Sequence, residues 1–235
     1  MNKKRLASAL LGTAMMGGLL LQAAPASAAS VGGGTTGGSV GFTGHTPPTT
    51  PNGELDLIWY PTAFEFGNAN TNTTAAKTYN ATNGATKYAI VRDNRDAAAS
   101  GTPTLTDTDE WKLTAKASTL VDGGDTLTGA SYSFTGNALK TYVSASGQDT
   151  EVPESAGAIV APGAGAIAAV DVHTSVNLPA DNTTEVNVME TKSLAAIDGK
   201  FAAELNNIQL KVPANISKDG KQYAGTVTWS LDDTL

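Results

Sequence analysis

An all-β protein, a single antiparallel β-sandwich behind a flexible N-terminal leader, is the fold that the sequence predicts. Short runs of alternating apolar and polar residues recur along it, and clusters of Gly, Asn and Asp separate them. The spacing between runs is too tight for the crossovers that parallel strands require.

The chain opens with Lys3, Lys4 and Arg5, an apolar run from Leu6 to Leu21, and Ala26-Ser27-Ala28. This is the order of a secretory signal peptide with an A-x-A cleavage site. Gly12, Gly17 and Gly18 interrupt the run, and at roughly 16 residues it is shorter than the about 20 that span a bilayer. Cleavage near Ala28 is therefore expected, over residues 1–28. Residues 29–52 follow as the leader, marked by Gly32-Gly33-Gly34 and Pro47-Pro48. Such composition buries too little apolar area to offset the entropy of ordering. Phe42 is the one position there that could add a short edge strand.

Residues 53–235 form the expected sandwich. Strands are placed near Leu55–Trp59, Lys87–Asp93, Glu110–Ser118, Thr126–Phe134, Lys140–Ala145, Ser175–Leu178, Glu185–Met189, Ile208–Val212 and Gly225–Asp232. Between Ser155 and Val172, Ala and Gly dominate around Pro162 and neither period is clean, so a loop or a short irregular strand is expected. Thr191 to Leu205, with Ala195, Ala196, Ala202 and Ala203, is the best place for a short helix, although Gly199 interrupts it.

Charge and cysteine usage narrow the function classes. Loss of the peptide removes three basic and no acidic residues, taking 15 Lys+Arg against 22 Asp+Glu to 12 against 22, a net charge near −10. That sign argues against nucleic acid, anionic membranes and electrostatic capture by teichoic acids. With no cysteine, a secreted domain of roughly 180 residues holds its fold by core burial rather than by disulfides. The missing cysteine also excludes a lipoprotein cleavage site. Leu178-Pro179-Ala180-Asp181 begins like a sortase signal but lacks the following Thr-Gly, and no hydrophobic tail precedes Leu235. Any surface retention is expected to be non-covalent.

Two of the three tryptophans stand in Trp-x-Leu strands, Trp111 to Leu113 and Trp229 to Leu231. Residues two apart share a strand face, so Trp111, Leu113, Ala115 and Ala117 point one way and Lys112, Thr114, Lys116 and Ser118 the other. Gly225, Val227, Trp229 and Leu231 likewise share a face. The pattern assigns both indoles to the core; the competing reading makes them sugar-stacking platforms or docking anchors. Asp93 and Arg95 share a face as well and can pair or bind a neighbouring backbone. Phe64 and Phe66 place two aromatics on one strand face before Gly67.

Catalytic chemistry finds little support. His45 lies in the leader, leaving His173 as the one placed imidazole, and no Gly-x-Ser-x-Gly elbow accompanies it. Nothing selects a pair of carboxylates for glycoside hydrolysis. Asp107-Thr108-Asp109-Glu110 could be a calcium loop but lacks the EF-hand pattern, and a solvated acidic turn is the simpler expectation. No metal or cofactor site is expected.

In combination, the Phe-x-Phe-Gly segment at Phe64 to Gly67, the Val-x-Asp-x-Arg element at Val91 to Arg95 before Trp111-Lys112-Leu113-Thr114-Ala115, and the closing Tyr223-Ala224-Gly225-Thr226-Val227-Thr228-Trp229-Ser230-Leu231 resemble the WxL domain. This is a cell-surface module of low-GC Gram-positive bacteria. The resemblance runs from about Gly53 to Asp233, specific in these blocks and mainly one of pattern between Thr119 and Lys221. Where many members end in Ala-Pro, this sequence has Asp232-Asp233-Thr234-Leu235. The resemblance implies a non-enzymatic domain that binds peptidoglycan non-covalently at the cell wall. It also implies complexes with a membrane-anchored WxL-interacting protein and other surface proteins. Tyr60, Ile58 and Tyr142 are the candidate exposed stacking positions. Two other readings stay open: a protein-binding module tethered only by its membrane-anchored partner through strand addition, and an outward-facing adhesin or glycan-binding domain.

Overall fold

In the computed structural model, residues 30–38, 55–72, 74–95, 110–144, 149–192 and 198–233 are described. The elements in chain order are β1 (Ser30–Gly38), β2 (Leu55–Trp59), β3 (Lys77–Asn80), β4 (Thr86–Asp93), β5 (Trp111–Ala117), β6 (Val121–Asp122), β7 (Asp125–Thr126), β8 (Ser131–Thr135) and β9 (Ala138–Tyr142). They continue with β10 (Ile159–Val160), α1 (Ala164–Ala169), β11 (Val170–Val172), β12 (Ser175–Pro179), β13 (Glu185–Thr191), β14 (Gly199–Asn206), β15 (Gln209–Val212) and β16 (Gly225–Asp233).

The all-β expectation holds, but the strands make several sheets rather than one sandwich. Sheet A has the order β1-β16-β5-β13-β11, sheet B β10-β9-β14-β4-β2 and sheet C β12-β8-β15-β3, while β6 and β7 form a separate hairpin. All the pairings within these sheets are antiparallel. The main core draws on all three sheets: Trp111, Leu113, Trp229 and Leu231 from A, Leu55, Val91 and Phe201 from B, and Tyr132, Phe134 and Leu210 from C.

Sheets B and C share their strands' paths. The chain passes from β8 to β9 and from β14 to β15 by crossing from one sheet to the other. Asparagines make the corner. Asn137 is buried, accepts from the Asn206 backbone N–H at 3.1 Å and donates to the His173 carbonyl at 2.9 Å. Asn206 donates to the Gly136 carbonyl at 3.0 Å and Asn207 to the Thr135 carbonyl at 2.9 Å. Asn207 sits at φ 45°, a conformation in which asparagine is among the better-tolerated residues. Asn137→Ala therefore strips partners from a half-buried backbone N–H and a carbonyl at once, and is expected to lower stability by about 2 kcal/mol, measured as a fall in the urea midpoint.

Sheet B is covered on both faces. A second cluster of Ile58, Trp59, Ile90, Tyr142, Ala158 and Ala202 lies on the face opposite the main core. A bulge between Leu57 and Trp59 sets Trp59 opposite Ile90, so consecutive β2 side chains are buried. Double burial explains why the described part of the helix expected over Thr191 to Leu205 is strand from Gly199 onward. Phe201, Ala202, Ala203 and Leu205 are all buried in β14, and a strand enclosed on both sides loses the two-residue alternation.

Three further expectations are corrected. Part of the leader is ordered as β1, which pairs with β16 from Gly32 opposite Leu231 to Gly38 opposite Gly225. The ladder is made by main-chain groups that glycine carries like any residue, so its composition hid it. The Ser155 to Val172 segment is neither loop nor single strand but β10, the short α1 and β11. The strand expected over Thr126–Phe134 divides into β7 and β8 around Gly129, whose φ of 75° turns the chain. Phe42, His45 and Asp107 to Asp109 lie outside the described residues.

Candidate functional site: an aromatic and amide-lined cleft

The Trp-x-Leu strands β5 and β16 lie side by side. Leu231 stands opposite Leu113, Trp229 opposite Ala115 and Asp233 opposite Trp111. Trp111 and Trp229 are 1% and 0% exposed, and the Trp111 ring meets Phe201 of sheet B at 6.2 Å between centroids. Neither indole is available to a ligand.

Asp93 and Arg95 pair as their shared face predicts, and a third residue completes the cluster. Arg95 Nε donates to Asp93 Oδ1 at 3.0 Å and Nη2 to Oδ2 at 2.9 Å, while Nη1 donates to Asp233 Oδ1 at 2.7 Å. The guanidinium thereby ties the end of β4 to the end of β16. Bidentate geometry and the nearly complete burial of Asp93 make this a structural joint.

The stacking candidates fare differently from expectation. Ile58 and Tyr142 are 1% and 2% exposed, filling the second core cluster, so neither offers a face to solvent. Tyr142 also donates to the Glu151 carbonyl at 2.7 Å. Tyr60 is half-buried and packs against the main core. The error arises because strand alternation places these side chains outward from the main core, and the 149–158 segment then covers them. His173 is at the surface, with Nε2 3.2 Å from Glu190 Oε1.

Phe64 and Phe66 lead to a cleft. Their segment is not one of the strands; it is an extended stretch held by side-chain amides. Asn83 donates to the Ala63 carbonyl at 3.0 Å and accepts from the Glu65 N–H at 3.2 Å. Asn70 donates to the carbonyls of Phe66 at 2.7 Å and Gly67 at 3.1 Å, closing a turn in which Gly67 takes φ 83°. Both rings thus reach Tyr132 of β8, with centroids 6.1 and 5.8 Å away.

The cleft that results has a volume of about 240 Å³. Leu120, Leu127, Leu210 and Val212 contribute apolar lining, with the rings of Phe64, Phe66, Tyr79, Tyr132 and Tyr223 among them. Asn68, Asn70 and Asn72 form one rim, and Ser217, Lys218, Lys221 and Gln222 the other. Ser217 Oγ donates to Asn72 Oδ1 at 2.7 Å, joining the two rims. Among the described lining residues Glu65 is the one carboxylate. Burial pushes the Tyr132 phenol far above its ordinary value, so it stays neutral. The Tyr223 hydroxyl is buried without a hydrogen-bond partner.

The second rim is gripped by the β6–β7 hairpin. Ala224 and Val121 exchange backbone hydrogen bonds at 2.9 Å, and Asp122 Oδ2 accepts from the Gln222 N–H at 2.7 Å. Asp125 pairs with Lys218 and, at 3.0 Å, with Lys221. Hydrogen bonds from Lys218 and then Lys221 hold the Asp125 carboxyl below the usual carboxylate range. A depressed folded value means that the contribution is fully present above the ordinary carboxylate value of about 4 and is lost as pH falls through the folded one. The rim is expected to loosen on acidification below about pH 4, seen as faster amide exchange at Gln222 after correction for the intrinsic rate. Asp125→Asn is expected to produce much of that loosening at neutral pH.

Sequence reasoning found Phe64 and Phe66 and missed the remainder of the cleft. Two signals pointed to it: the amide-rich Asn68-Ala69-Asn70-Thr71-Asn72 immediately after Gly67, and Tyr223 as the first residue of the closing motif. Among the described residues, no group of His, Asp and Glu could hold a metal ion, and no helix is long and apolar enough to cross a membrane.

Searches of the curated proteins and of the solved structures return no match. The family model described as WxL domain surface cell wall-binding matches residues 33–234, from within β1 to just past β16. The chain belongs to the WxL family of surface cell-wall-binding domains.

Proposed function

We propose that this cell-wall-binding domain attaches to peptidoglycan itself, non-covalently and without catalysis, after export under a signal peptide cleaved near Ala28 in a Gram-positive bacterium. The observation that carries the reading is the family match over residues 33–234, a span that takes in both walls of the cleft. The buried tryptophans leave binding to other surfaces. The single carboxylate among the described cleft residues supports holding a ligand rather than cleaving it, since glycoside hydrolysis ordinarily needs two. The acidic balance of 15 Lys+Arg against 22 Asp+Glu turns long-range charge against an anionic wall. Attraction then comes from hydrogen bonds and ring contacts.

Sedimentation with peptidoglycan stripped of proteins and teichoic acids tests this. The protein is expected in the pellet, at least as fully at high salt as at low, because short-range contacts between neutral groups are little screened while the long-range repulsion is. Recovery in the supernatant would overturn direct binding.

A second reading, tethering by a membrane-anchored WxL-interacting protein, is supported by an edge of sheet C that no described strand covers. There β3 is paired on one side, by β15, and its residues alternate between half-buried and exposed. An edge of this kind accepts an added strand. Retention on intact cells that is lost when the partner is deleted, together with no sedimentation with bare peptidoglycan, would favour it.

A further inference from the structure

We propose that the cleft between the two rims takes the glycan strand of the wall, an uncharged chain of N-acetylated hexosamines, rather than its charged peptide stems. The inference rests on the wall-binding reading above and names its site and ligand. Three features of the cleft carry it.

The first is the alternation of surfaces. The half-buried Phe66, Tyr79 and Tyr223 present ring surface over the buried Tyr132, while Asn68 and Gln222 stand among them on the rims. A pyranose ring has an apolar C–H face and a polar edge, and an acetamido group adds a methyl beside an amide. Aromatic rings suit the first part of each and side-chain amides, with both donors and an acceptor, the second.

The second is charge. The two lysines on the rim already share Asp125. Asp122 also acts on Lys221, so two carboxylates offset the two ammonium groups and a carboxylate-bearing peptide stem meets little net positive charge there. Desolvating a charged ligand without a partner is costly, and a neutral one avoids that cost.

The third is the Tyr223 hydroxyl. It is buried beside the cleft and satisfied by no protein group. A phenol left so in the free protein gains a hydrogen bond where ligand entry uncovers it and brings a hydroxyl or acetamido oxygen to it. Its removal thus has opposite consequences for binding and for folding, which makes it a useful probe.

The test is titration of the full protein with a β-1,4-linked N-acetylglucosamine tetramer, followed by calorimetry and by amide and side-chain NMR. Binding with shifts at Phe66, Tyr132 and Tyr223 is expected. Tyr223→Phe should weaken it about threefold to tenfold, the range of one lost neutral hydrogen bond, while the melting temperature is unchanged or rises. Phe66→Ala should weaken it further. If the tetramer does not bind, or binds with an affinity that Tyr223→Phe and Phe66→Ala both leave alone, the cleft is not a glycan site. When that happens and the parent still sediments with bare peptidoglycan, the wall reading stands and this assignment falls. Cleft shifts produced by free peptide stems, with none from the tetramer, would also overturn it.

Discussion

Trp229→Ala is expected to lower folding stability by about 3 to 5 kcal/mol, enough to unfold most of a marginally stable domain. Trp229 is 0% exposed on β16, between Val227 and Leu231 on the same face and opposite Ala115 on β5. Alanine there leaves a cavity in the middle of sheet A that neighbours on both strands would have to fill. Trp111→Ala should fall in the same range for an added reason, since the indole contacts Phe201 and so joins sheet A to sheet B. Its Nε1 is buried without a partner, so Trp111→Phe, which deletes that N–H and keeps a ring, should be much milder than the alanine variant. Urea denaturation of the three variants checks this. A Trp229→Ala protein that melts like the parent and loses only wall binding would overturn the core assignment.

Arg95→Ala is the second large effect, at about 3 kcal/mol. Asp93 is 1% exposed and draws two side-chain bonds from Arg95, so the variant leaves a buried carboxylate without its cation. Asp233, 29% exposed at its side chain, keeps access to water and should suffer less. The loss should be partly recovered in Arg95→Ala combined with Asp93→Asn, because the neutral amide removes the stranded charge. A double variant no more stable than Arg95→Ala alone would show that the cost comes from lost packing at the ends of β4 and β16. Thermal melting of the parent, two single variants and double variant supplies the comparison.

These two sites differ in how readily a one-dimensional reading reaches them. On β5 and β16 one face meets the core and the other meets polar partners, so alternation alone separates Trp111 from Lys112 and Trp229 from Ser230. The Asp93–Arg95 pairing follows from spacing on one strand, but Asp233 comes from the far end of the chain and no local pattern announces it. On β14, apolar residues face both sides, and a run such as Phe201-Ala202-Ala203 satisfies helix and strand rules alike. The same second layer misled the reading of Ile58 and Tyr142, since facing away from one core does not put a side chain in water when another core lies beyond. Edge strand β1 gave no side-chain signal because main-chain pairing with β16 defines it. The cleft was only partly legible: its rings stand at Phe64, Tyr132 and Tyr223, and their meeting depends on the Asn83 and Asn70 hydrogen bonds that steer the Phe64 to Gly67 segment.

The pairing of β1 with β16 also decides how the domain bears force. Ser30 lies opposite Asp232, so the first and last strands present their outer ends at one corner. A load pulling those ends apart meets the ladder pair by pair, beginning there and advancing through Gly32 and Leu231, and never stretches all its hydrogen bonds together. Arg95 braces the β16 side of that corner through Asp233. Under tension β1 is the part that peels, while the strand carrying Trp229 stays locked between Arg95 and the rest of sheet A.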